Sequence, residues 1–200
     1  MRRLIRLFLA ITLCAFLLAC GGAKQMTQEN TSPVLVNNTS PCPDWFLNLP
    51  QDDNYLLAAA TATSKDLQLA LNKAMQEGRA NIGAQVEARL QGLTQQFKEE
   101  IGEGESAQLD ADFTAVSKTV VSTTLNGSRA KNQATRQEGG LWRACVLMEY
   151  PIGAAKAKFV EAIKEREPLR EKLAGSEGFK LLDTEAEKFE MEKRRKAEKN

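Results

Sequence analysis

The sequence predicts an α+β domain: a small, mainly antiparallel three-stranded sheet with one long helix and further helices packed on it, in the order β-α-α-β-β-α-α. Three observations carry this. Tyr55 to Thr63, "YLLAAATAT", is an apolar run of strand length. Between Leu71 and Phe97 apolar residues return every three or four positions, the period of one helix face. Leu141 to Tyr150, "LWRACVLMEY", alternates so that Trp142, Ala144, Val146, Met148 and Tyr150 share one side, and it follows the turn signal Glu138-Gly139-Gly140.

Taken in order, the domain opens on "PCPDWFLNLP", where Trp45 and Phe46 stand between prolines. Pro43 and Pro50 are expected to hold this stretch extended and free of helix. Trp45 and Phe46 then lie as a lid across the sheet and helix layer and lock the first strand; the alternative is an exposed aromatic pair that touches a partner. After the first strand, Ser64 stands where an N-cap would, with Asp66 placed for the positive helix end. The long helix runs to about Ile101, with Leu71, Met75, Gly78, Ile82, Val86, Leu90, Leu93 and Phe97 along its stripe. Gly78 and Gly83 weaken it, so something is expected to pack closely on the small face they form with Ala74, Ala80 and Ala84. "GEGES", residues 102–106, breaks it. Phe113, Val116, Val120 and Leu125 predict a second helix despite the β-branched "TVVSTT", ended by Asn126-Gly127. Ser128 to Gln137 is polar and reads as an exposed strand. Past Pro151, a helix over 153–165 turns Ala157, Val160 and Ile163 inward. Phe179, Leu182, Ala186 and Phe189 predict a last helix, with "EKRRKAEKN" fraying into solvent.

The N-terminus is of another kind. Arg2, Arg3 and Arg6 precede an apolar stretch, Leu7 to Ala19, of about thirteen residues, shorter than the roughly twenty of a spanning helix. That is the pattern of a secretory signal. Its end, Leu17-Leu18-Ala19-Cys20, resembles the lipobox of bacterial lipoproteins, in which cleavage precedes the Cys and the thiol and new amino group are acylated. The resemblance makes residues 1–19 the signal and Cys20 the lipidation site, with the bilayer as the partner of the acylated Cys20. Each buried CH₂ contributes about 0.8 kcal/mol, so several chains anchor firmly. Gly21 and Gly22, with no Asp after the Cys, resemble the sorting pattern for the outer membrane. Residues 20–41 are polar and small, a lipidated flexible tether of roughly 25 Å typical reach. Residues 42–166 form the α+β lipoprotein domain and 167–200 a charged helical tail.

Composition narrows the chemistry. The 200 residues contain no His, the commonest general base and metal ligand. Removing the three signal arginines from 27 basic residues leaves 24 against 26 acids, which gives no nucleic-acid footprint. Glu99-Glu100 and Glu103/Glu105 are carboxylate pairs without a base partner and read as a solvated helix end. No catalytic residue, metal site or cofactor motif is expected, and the chain reads as no enzyme. Cys14 leaves with the signal and Cys20 carries lipid, so Cys42 and Cys145 are the remaining thiols of an exported protein. They are a candidate disulfide if the lid crosses the Cys145 strand. Otherwise Cys145 packs as a small apolar residue and Cys42 stays loose in the tether.

"PDWFLNLP", the apolar strand and the Ala-rich helix "SKDLQLALNKAMQEGRANIGAQVEARL" resemble the membrane-associated twenty-kilodalton lipoprotein family over roughly residues 43–165. Ala70, Ala74, Arg79 and Ala80 stand in its helix pattern; Gly78, Gly83 and the polar second strand depart from it. The resemblance implies an outer-membrane lipoprotein facing the periplasm, some of whose relatives are linked to flagellar assembly, with no catalytic residues to carry over. The expected function is structure or assembly of an envelope complex through contact with proteins, its own copies among them. The alternative is a binding module for an envelope ligand such as peptidoglycan, or a regulator of a cell-wall enzyme.

Overall fold

The computed structural model describes residues 40–102 and 106–199. The signal, Cys20, the tether up to residue 39 and the Glu103/Glu105 pair lie outside these residues. The elements are α1 (Asp44–Leu47), β1 (Tyr55–Ser64), α2 (Leu67–Ile101), α3 (Ala107–Gly127), β2 (Arg129–Glu138), β3 (Leu141–Pro151), α4 (Ile152–Lys164), α5 (Glu167–Leu173) and α6 (Glu177–Ala197). The protein is an α+β fold. Its three strands form an antiparallel sheet in the order β1-β3-β2.

The hairpin β2-β3 turns on Gly139 and Gly140, whose φ values of 55° and 82° suit a two-residue turn that other residues resist. The β3 alternation gives two faces. Ala144, Val146, Met148 and Tyr150 join Leu56, Ala58 and Ala60 of β1 in the main core under the helices. Cys145, Leu147 and Glu149 are also buried, but on the opposite face.

The long helix α2 has 35 residues, and its apolar period survives intact. Asp66, not Ser64, is its N-cap: the carboxylate accepts from Leu69 N at 2.7 Å, while Ser64 is still paired in β1 and accepts from Asp66 N. An anion at the positive helix end is the better cap once the strand has claimed Ser64. The small face is Ala70, Ala74 and Gly78, every fourth residue, whereas Ala80 and Ala84 are exposed. Gly78 is required there. A Cβ on it would run into Met148 Cγ, with Ala60 Cβ at 3.6 Å behind. Gly83 plays the same part toward α3, where Leu125 Cδ2 stands 2.9 Å from the place of a Cβ.

At the far end of α2, large rings replace small residues. Phe97 stacks on Phe159 at 6.4 Å between ring centres and meets Phe179 edge-on at 6.0 Å. Phe113, Val116 and Val120 of α3 are buried in the same core, as are Phe159 and Ile163 of α4 and Leu169 and Leu173 of α5. The helix α5 adds an element to the expected order. Its seven residues carry only Leu169 and Leu173 inward, too few to register as a period. The last helix is not frayed over 192–197. Glu190–Lys193 and Glu192–Lys196 are spaced to pair along it, which keeps a polar helix wound.

Glu100 is no mere solvated helix end. Its carboxylate accepts from Ser176 Oγ at 2.8 Å and from the backbone N–H of Glu177 and Gly178 at 2.6 and 3.3 Å, capping α6 from the end of α2. The Ser176 hydroxyl, above all, holds its pKa below the ordinary glutamate value.

Two expectations follow. Gly92, also in α2, faces open space, so Gly92→Ala should raise stability by about 0.5–1 kcal/mol. Gly78→Ala should lower it by about 1–2 kcal/mol as overpacking outweighs the helix-propensity gain. Urea unfolding of the two variants side by side reads the difference. For Glu100, a depressed folded pKa means stability present above the unfolded pKa and lost as pH falls through the folded one. Glu100→Gln should therefore flatten the acid limb of the stability–pH profile and change stability least at the lowest pH, where the wild-type carboxyl is protonated.

Candidate functional site

The opening segment of the domain, residues 40–50, forms a junction on the sheet face away from the main helix layer. Pro43 does not keep it free of helix. A proline before the first turn is compatible with helix, because the N–H it lacks would have no intrahelical partner there. Pro43 accordingly precedes α1, and its carbonyl accepts from Phe46 N at 2.9 Å. This single turn packs on β3.

Cys42 and Cys145 are brought together as a disulfide with Cα atoms 5.8 Å apart, closing a sequence separation of 103 residues. Both are buried. Thr61 Oγ1 lies 3.8 Å from each sulfur and donates to Ala144 O at 2.9 Å, so β1, β3 and the junction meet at one point. Leu57 and Leu147 fill the apolar remainder of this face.

Trp45 and Phe46 are only half-buried and meet each other edge-on, ring centres 6.4 Å apart. They do not act as a closed lid over the core. Leu47 is 64% exposed and Leu49 42%. Four large apolar side chains within five residues thus reach solvent, on a segment held covalently to the sheet. The turn itself, Asp44–Leu47, has no buried residue, and the segment is anchored by Cys42 just before it.

Charge borders the same face. Glu149 is buried on β3 and paired twice, with Arg129 Nε at 2.8 Å across the β2-β3 register and with Lys131 Nζ at 3.5 Å. Lys131 reaches on to Asp52 at 3.8 Å and sits 5.8 Å above the Tyr55 ring. A buried carboxylate needs such partners. The sequence alternation puts Glu149 on the side of the strand opposite Trp142, Ala144, Val146, Met148 and Tyr150, where an acid reads as solvated. Among the described residues no three Cys, Asp or Glu side chains converge as metal ligands would, and no helix is long and apolar enough to cross a membrane.

The family model of the LPP20 lipoproteins matches residues 43–147, just over half of the chain. It spans the junction, both sheet edges, α2 and α3. A search of the curated proteins found no match.

The disulfide closes a long loop, so its loss should be costly. A Cys42→Ala/Cys145→Ala variant is expected to lose up to about 4–5 kcal/mol in urea unfolding, the chain-entropy value for a loop of this length. Alkylation before reduction should label neither Cys42 nor Cys145.

Proposed function

The chain belongs to the LPP20 lipoprotein family, and on that premise we propose that it is a non-enzymatic component of an outer-membrane assembly. Lipid on Cys20 holds it to the inner leaflet, the tether spaces it from the surface, and the folded domain faces the periplasm. It acts by contact with other envelope proteins, in a flagellar or a related complex. The observation that carries this reading is the exposed Trp45–Leu49 cluster. An apolar cluster that a disulfide pins in place has its ordering entropy spent before any partner arrives, which favours binding. Aromatic anchors are the side chains that dominate protein interfaces.

A second reading rests on a groove of about 380 Å³ at the end of the sheet, where Tyr55, Tyr150 and Phe189 meet Arg129, Lys193 and the ion-paired Glu192 and Lys196. Aromatic rings beside polar and charged groups suit a sugar chain, which would make the domain a peptidoglycan-binding module or a regulator of a wall enzyme. Retention on isolated cell wall, lost in Tyr55→Ala/Phe189→Ala, favours this reading.

The main reading is tested in cells. Cys20→Ser should abolish incorporation of labelled fatty acid and release the protein from the outer-membrane fraction. With the anchor intact, a photo-crosslinking residue in place of Leu47 should capture one discrete envelope protein, and the same residue at exposed Gln133 of β2 should not. Labelled lipid persisting on Cys20→Ser overturns the anchor. Equal capture at both positions overturns the contact surface.

A further inference from the structure

The two edges of the sheet are built differently. β2, "RAKNQATRQE", carries Arg129, Lys131, Arg136 and Glu138 and is broken by an irregularity between Ala130 and Asn132. Charges and bulges are how proteins keep an edge from pairing. β1, "YLLAAATATS", has ten residues, no charge, no proline and an unbroken register with β3. It lacks every one of these protections.

The direction of its backbone groups is fixed by the ladder. Asn54 O accepts from Ile152 N at 2.9 Å, so the even-numbered residues of β1 bond to β3 and the odd-numbered ones turn N–H and C=O outward. Gln85 Nε2, reaching down from α2, donates to Leu57 O at 3.0 Å, as that alternation requires. Among the described residues nothing else bonds the outward backbone groups of Ala59, Thr61 and Thr63. Beside this stretch runs an open groove of about 690 Å³, bordered by Thr61, Ala62, Leu69, Lys73, Gln76 and Glu77. It has the place and shape for one more strand. Leu69 is 46% exposed at its side. Lys73 and Glu77 are one turn apart on α2, and neither has an ion-pair partner among the described residues.

We propose that the β1 edge is the interface with a second copy of this chain, the two β1 strands pairing antiparallel about a twofold axis near Thr61 to make one six-stranded sheet. An antiparallel pair of identical edges satisfies both rows of backbone groups at once, as a twofold interface must. The axis brings Lys73 of each copy toward Glu77 of the other, a charge match that an unrelated strand would have no reason to supply. The Ala and Thr side chains keep the groove shallow enough for a backbone to enter. This surface is separate from the Trp45–Leu49 cluster, and the inference stands whether or not that cluster binds a partner.

The test uses the mature lipidated protein in a density-matched detergent, with its mass read by sedimentation equilibrium at micromolar concentration. Two protomers are expected. Thr63→Lys places a charge on the outward edge at an exposed position and should weaken the dimer by about tenfold or more while leaving the melting temperature of the domain unchanged. Lys73→Glu should weaken it as well, and Lys73→Glu/Glu77→Lys should restore it, since reversing both charges preserves a twofold match. A wild-type protein of one protomer overturns the proposal, including one whose edge instead takes up an added extended peptide. So does a dimer indifferent to both Thr63→Lys and Lys73→Glu.

Discussion

The close approach of α2 to the sheet is the constraint from which the rest of the architecture follows. Ala70, Ala74 and Gly78 on the helix face Ala58, Ala60 and Met148 on the strands, and Met148 lies where a side chain on Gly78 would be. The contact has almost no side-chain depth, so the helix lies nearly on the sheet backbone. Thirty-five helical residues extend about 52 Å, whereas strands of ten or eleven residues reach about 35 Å. The helix must therefore overhang. Its overhanging end cannot use small residues, because there is no sheet beneath it, and Phe97 appears there with Phe159 and Phe179 around it. The helices α3 to α6 are the packing that an overhanging amphipathic helix demands.

The opposite face of the sheet has a different problem. It offers only a narrow apolar strip, Leu57, Cys145 and Leu147, and the segment that crosses it has a single helical turn. Half-buried rings on one turn contribute too little apolar burial to order eleven residues against roughly 1–2 kcal/mol of backbone entropy each. A covalent bond to the middle strand removes much of that entropy beforehand. The disulfide is thus what allows Trp45, Phe46, Leu47 and Leu49 to be ordered without being buried, and an ordered but unburied apolar cluster is what gives the junction its interest.

Period and punctuation made most of the fold legible in the sequence. The extent of α2, the Gly139-Gly140 hairpin and the inward side of β3 all follow from local residue choice, and the close contact at Gly78 follows from its conspicuous cost in a helix. What stayed illegible was set by tertiary neighbours. Ser64 and Asp66 are both good caps, and only the pairing of Ser64 with Trp142 decides between them. Glu100 looks like any exposed acid until Ser176 arrives from 76 residues away. The exposure of Trp45 could not be read from its ring, because composition says how much a side chain gains by burial and not whether a surface is present to bury it.

The boundary of the family match bears on what the folding unit is. The match ends at Leu147, inside β3. Yet Phe97, within the matched part, is 1% exposed because Phe159 and Phe179 from beyond it close over the ring. Val86 and Leu90, about three and two turns earlier, share that core with Ala155 and Ile163. Residues 43–147 alone would leave the overhanging half of α2 with an apolar stripe in water and β3 cut four residues short of its last ladder partner, Pro151. The link that prevents this is polar as well as apolar: Glu100, at the very end of α2, caps the first turn of α6. The helices beyond the match are accordingly part of the same cooperative unit as the sheet, joined to it at both the ring cluster and the cap.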